Sequence, residues 1–179
     1  MIQSAPRSLI CQLPNGLHEL QMQGRFYHPH WLAFLLSGLS QFKISVVSGT
    51  AMLQEDQDWN ALLQLDFQQS RALPDQLDYG SLAEKQAAVD ASPLQLSTFQ
   101  VMRRLDKSLE VYLQGPDQLG FLGRFLTKVS LLGLYPSEVK IATNAGRMSD
   151  RIVLTGIAGS SPGEASQRSL DTMLRGLRA

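Results

Sequence analysis

The sequence predicts an α/β protein of the α+β sandwich type, made of two copies of one sheet-and-helix unit. Three observations predict it. Residues 20–24 (LQMQG) recur as residues 111–115 (VYLQG), and the same offset lays Trp31, Phe34, Leu35 and Phe42 near Leu122, Phe125, Leu126 and Gly133, so three of four apolar positions match. Leu109, Val111 and Leu113 alternate with Glu110, Tyr112 and Gln114, the two-residue period of a strand with one covered face. Leu122, Phe125, Leu126, Val129 and Leu132 then follow the three-and-four spacing of a helical stripe.

Along the first copy, SLICQL (8–13) predicts a strand that turns through Pro14, Asn15 and Gly16 into the matched strand. A helix follows GRFYHPHWL, then the strands ISVVSG and NALLQLDF, separated by a polar turn at residues 54–58. A long acidic loop, residues 68–80, leads to a second helix, where Ser81 and Glu84 have the spacing of a capping box. In the second copy LQLSTFQV turns through Leu105, Asp106 and Lys107 into the matched strand, and the strands EVKIAT and DRIVLTG are joined by NAGRMS, a hairpin turn supplied with Asn and Gly. Ser161 and Glu164 repeat the capping spacing before a helix with Leu170, Met173, Leu174 and Leu177 on one face. Each copy therefore reads strand, strand, helix, strand, strand, helix. With no strand after the last helix, the leading strand of each copy is expected to fill the edge place, antiparallel to its neighbour. The expected modules are residues 1–92 and 93–179.

The 16 basic and 16 acidic residues cancel, so no global field draws in nucleic acid or an anionic membrane. Charge is nevertheless uneven: residues 54–92 hold eight acidic side chains against Arg71 and Lys85, while residues 124–179 hold eight basic against four acidic. The single Cys11 and the lack of a secretory pattern lead to the expectation of a reducing, cytoplasmic compartment. The longest apolar run, residues 31–36, is far short of the roughly 18 residues of a bilayer span.

The second copy, residues 109–156, resembles the ACT domain family, small regulatory modules whose first strand runs through an Asp-x-x-Gly turn into the first helix. Asp117 and Gly120 occupy the motif places in GPDQLGFLGRFL. It looks most like the ACT pairs at the ends of bacterial nitrogen-signalling uridylyltransferases, without a nucleotidyltransferase segment. The first copy resembles the family less, with GRFYHPHWL in place of the turn and Pro29 where Gly120 stands. The resemblance implies ferredoxin-like modules, each with a four-stranded antiparallel sheet and two helices on one face. It also implies a non-catalytic sensor that binds an amino acid or similar metabolite between paired modules. The ligand-approaching positions carried over are Asp117, Gln118, Leu119, Gly120 and Phe121, with Val139, Ile141 and Thr143 facing them from the second strand.

Elementary chemistry supports that junction independently. Helix-start amides are unsatisfied and partly positive, and Gly120 allows close backbone approach; the plainer alternative is that Asp117 caps the helix and Gly120 packs. Other candidates are weaker. GIAGSSPGE (156–164) lacks the Gly-Lys-Ser/Thr ending of a phosphate loop. His18, His28 and His30 lack the spacing of a metal site, and no cofactor is expected. Arg168, Arg175 and Arg178 read as a solvated helix face. No nucleophile sits beside a base, so no enzyme activity is expected. The expectation is a metabolite sensor signalling through a homodimer, through pairing of modules within the chain, or through a regulatory protein. Partial cover of the sheet by a second copy is expected from alternating Val, Ile and Leu beside Tyr112 and Val153. The alternative is a ligand-free adaptor whose acidic loop 68–80 engages a basic partner.

Overall fold

The computed structural model describes residues 6–88 and 90–178. The strands are β1 (Arg7–Gln12), β2 (His18–Gly24), β3 (Ser45–Leu53), β4 (Trp59–Asp66), β5 (Thr98–Arg103), β6 (Leu109–Pro116), β7 (Tyr135–Asn144) and β8 (Arg147–Thr155). The helices are α1 (Trp31–Gln41), α2 (Tyr79–Glu84), α3 (Phe121–Ser130) and α4 (Glu164–Leu177). All eight strands form one antiparallel sheet in the order β1-β2-β4-β3-β7-β8-β6-β5. The two expected four-stranded sheets are thus joined edge to edge by β3 and β7. The leading strands β1 and β5 lie at the two outer edges, each antiparallel to the strand that follows it.

The join is symmetric in register. Thr50 faces Lys140, flanked by Ser48 opposite Ala142 and Met52 opposite Glu138. Each half contributes the row that faces the helices: Leu20, Met22, Ala61, Leu63 and Leu65 from one, Val111, Leu113, Ile152 and Leu154 from the other, all buried in one continuous core. The two-residue alternation in the sequence is what places them there.

Between the halves α1 packs on α3 at very short range. A Cβ on Gly123 would lie 2.6 Å from Ser37 Oγ and 2.8 Å from the Ser37 amide nitrogen, and one on Gly120 would lie 2.7 Å from Ser40 Oγ. Only residues without side chains permit this approach.

Several local expectations change. Asp78, not Ser81, caps α2: its carboxylate accepts from the Ser81 amide at 3.0 Å and from the Ser81 hydroxyl at 2.8 Å, a stronger acceptor than the hydroxyl itself. Helix α4 starts at Glu164 behind Gly163 and has no side-chain cap, because Pro162 separates Ser161 from the helix start and turns its carbonyl to Arg103. Leu132 lies beyond the end of α3. The helix starts align as Trp31 with Phe121, so His30, not Pro29, stands where Gly120 stands.

The sheet face away from the helices mixes polar and apolar residues. It carries Gln21, Gln23, Thr50, Lys140 and an ion-pair group in which Arg151 joins Glu110 to Glu138, beside the exposed Leu9, Met52, Leu62, Met102 and Tyr112. Val153 is buried between those two glutamates, opposite both in register. Partial cover of this face by a second copy would take those exposed apolar side chains out of water.

Candidate functional site

The junction that follows β6 opens onto a cavity at the meeting of the two halves. The turn is fixed before any ligand enters: the Gln118 side chain exchanges hydrogen bonds with the Gln95 backbone at 2.9 and 3.2 Å, and the Asp117 amide donates to the Gly146 carbonyl at 2.8 Å. Arg124 folds back from α3, donating to the carbonyls of Leu119, Gly120 and Ser92. Gly120, the residue at the start of α3, holds φ at +74°, in the left-handed region that favours glycine.

Asp117, Gln118, Leu119, Gly120 and Phe121 line this cavity together with Ile141 and Thr143 from β7. Val139 lies on the same strand face but is sealed in the core and does not reach the cavity. The opposite wall comes from the first half: Leu36 of α1 and Ile44, Ser45 and Val46 at the start of β3. The cavity measures about 50 Å³. A single water needs roughly 10–15 Å³, so there is space for a few waters or one small polar head group. Asp117 and the 41 % exposed Leu119 stand at its rim.

Asp117 does not cap α3, which has no side-chain cap and no acidic residue in its first turn. The Leu122 amide has no backbone acceptor among the described residues. Gly120 packs against Ser40, so a bulky replacement there disturbs the α1–α3 contact as well as the turn.

The sequence reading missed the wall from the first half, Leu122 and Gly123 of α3, and Met148 and Asp150 on β8. Asp150 is 4 % exposed and points to the helix side of the sheet, in a row with Met148, Ile152 and Leu154. That row was visible as an alternation in the sequence, and a carboxylate in an apolar register was the available signal. One oxygen accepts from the Ala142 amide at 3.3 Å, and no cation pairs with it among the described residues. Burial, and secondarily the Asp117 carboxylate, pushes its carboxyl up to about 7 against the Ala142 hydrogen bond. Asp117 is also raised, by desolvation.

No protein-family model, curated protein or solved structure matches the chain.

The corresponding seam of the first half is built from different side chains. In register, Met148 opposite Gly115 corresponds to Trp59 opposite Gly24, and Asp150 opposite Leu113 corresponds to Ala61 opposite Met22. Trp59 meets Trp31 edge-on at 5.3 Å, Phe26 stacks on Trp31 at 3.9 Å, and Tyr135 packs 5.5 Å from His30, in the place where Ser45 stands near Gly120. Aromatic rings fill the corresponding seam. His18 packs on Phe67 and lies apart from His28 and His30, which both contact Phe34. Arg168 and Arg175 pair with Glu164 and Asp171 one turn away on α4.

Proposed function

We propose that the protein is a non-catalytic sensor of a small metabolite of the amino-acid class, bound once per chain in the cavity between the halves. The observation that carries this reading is the composition of the cavity wall. A glycine turn and an uncapped helix start come from one half, apolar residues from the other, and a ligand held between them touches both. Its differential affinity for two arrangements of the halves is the only quantity that can do regulatory work. Uncapped amides offer hydrogen bonds to a ligand carboxylate, which supports an amino acid over a neutral metabolite. The seam is made within one chain, so a homodimer or a protein listener, both part of this proposal, engages some other surface.

Thermal-shift measurement against amino acids, nucleotides and organic acids tests it, since a ligand that binds the native state at 100 times its Kd adds roughly 2.7 kcal/mol of stability. Amino acids that raise Tm, with amide chemical-shift changes confined to residues 117–123 and 141–150, are the expected result. A flat screen would leave the adaptor alternative, to be tried with basic peptides against loop 68–80.

A further inference from the structure

Asp150 is not explained by the fold. A carboxylate taken out of water carries a penalty of several kcal/mol unless a cation or a full set of donors meets it. Here one oxygen has a single long hydrogen bond, and the other has no protein donor among the described residues. The sheet does not need the group: in the first half Ala61 occupies the equivalent position, and the pairing of β3 with β4 runs regularly through Ala51 opposite Ala61, from Ser48 to Leu53. In the second half the paired residues of β7 and β8 pass directly from Lys140–Arg151 to Thr143–Met148, and the Ala142 amide turns to the Asp150 carboxylate. A regular piece of ladder is thus given up to hold a carboxylate against the cavity.

The lining narrows what can answer that charge. Leu36, Ile44, Phe121 and Met148 surround it with apolar surface, and the only other acidic group lining the cavity is Asp117 at the rim. A hard divalent cation takes six or more oxygen ligands, several of them usually carboxylate; among the described residues no group of three or more His, Cys, Asp or Glu could hold one. A primary ammonium is about the size of a water, brings three donors, and carries an alkyl stem that suits apolar walls.

Resting on the reading of this cavity as a ligand site, we propose that Asp150 is its amine anchor: the ligand is a small primary amine, an α-amino acid or its decarboxylated analogue, whose ammonium group is received by the buried carboxylate. Oδ2 accepts from the ammonium while Oδ1 keeps the Ala142 amide. The stem runs past Phe121 and Met148, and a carboxylate, where the ligand has one, reaches the Leu122 amide. Asp150, not the Asp117–Gly120 turn, then separates amines from acids of the same shape.

The test is an amide NMR titration of the full chain at pH 8 with matched triples: L-alanine, ethylamine and propionate; L-valine, isobutylamine and isovalerate; L-serine, ethanolamine and 3-hydroxypropionate. Amino acids and amines are expected to move the Ala142, Asp150 and Gly120 amides, and the acids to leave them still. Asp150→Asn and Asp150→Ala, the latter placing the residue that already stands at Ala61, are expected to weaken amine binding at least tenfold while keeping the rest of the spectrum. Acids that bind while amines do not would overturn the amine anchor and leave the cavity as a ligand site. Magnesium or calcium chloride alone moving the same amides would overturn it in favour of a metal. Amine affinity unchanged in both variants would remove Asp150 from recognition. Silence of these amides toward every compound would overturn both the anchor and the cavity reading.

Discussion

Replacing Asp150 with Asn isolates the charge in the cavity, because Asn keeps an oxygen for the Ala142 amide and removes only the ionisation. Burial raises the folded carboxyl from its ordinary 3.8 to about 7. Between those values the folded protein holds a proton that the unfolded chain has released, so this group makes stability fall as pH rises through the window. The effect is absent below about pH 4 and complete above about pH 7. At 1.36 kcal/mol per pH unit, the span corresponds to roughly 4 kcal/mol, an upper value because water at the cavity mouth softens the field. Asp150→Asn is therefore expected to gain roughly 2 to 4 kcal/mol on the wild type between about pH 4 and pH 8. Urea denaturation at intervals of about one pH unit, with m held common, measures it. The Asn amide group has its own need for a partner, but that cost is the same at every pH and shifts the whole curve without tilting it. A difference between variant and wild type that stays flat from about pH 4 to pH 8 would refute the reasoning, and one that falls with pH would reverse its sign.

Arg151→Ala removes the cation that joins Glu110 to Glu138 across β8, leaving Arg104 paired with Glu138 and Glu110 without its partner. It should cost roughly 1.5–3 kcal/mol at low ionic strength and less at about 1 M salt, where exposed charges are screened; an equal loss at both, by urea melts, would show that packing and not charge is at stake. Gly123→Ala drives a methyl into the Ser37 backbone and should lose roughly 1–3 kcal/mol or more. Gly146→Ala, with φ at +73° and open space around it, should lose about 1 kcal/mol, and equal losses by thermal melts would mean that the α1–α3 contact yields easily. Calorimetric titration with any ligand found by the screen should give one site per chain; two would show that the aromatic seam of the first half also opens.

Periodicity made most of the fold legible. The switch from alternation in β6 to a helical stripe in α3, and its weaker echo in β2 and α1, predicted the elements and their order. The Asn and Gly of NAGRMS predicted the β7–β8 hairpin, where Ala145 and Gly146 both hold positive φ. The capping spacings misled because Ser-x-x-Glu says nothing of a nearer acceptor: Asp78 was one residue outside α2, and Pro162 stood between Ser161 and α4. The joining of β3 to β7 was not legible, since edge pairing depends on which backbone groups are left free and not on side-chain period. Half of the cavity was invisible for the same reason. Leu36, Ile44 and Val46 read as ordinary core residues of the first copy, and only the join brings them opposite Gly120.

The same join explains why two halves of like topology differ at their seams. Pairing Thr50 with Lys140 on a local two-fold creates two equivalent seams, each between the start of one helix and the first residues of the other half's central strand. What breaks the equivalence is a small set of exchanged side chains: Trp59 for Met148, Ala61 for Asp150, Tyr135 for Ser45. In the first seam the larger rings convert the space into core, where apolar burial stabilises the fold at roughly 25 cal/mol per Å². In the second, smaller side chains leave the space and a carboxylate adds a cost that a bound cation would offset. Between the two seams runs the α1–α3 contact, whose Gly120 and Gly123 lie against Ser40 and Ser37 with no slack. A ligand that moved the α3 start by even a few tenths of an ångström could not do so without moving α1, and α1 is the element on which the filled seam and α2 both pack. On the sensor reading proposed above, this contact is the route by which occupation of the open seam would reach the first half.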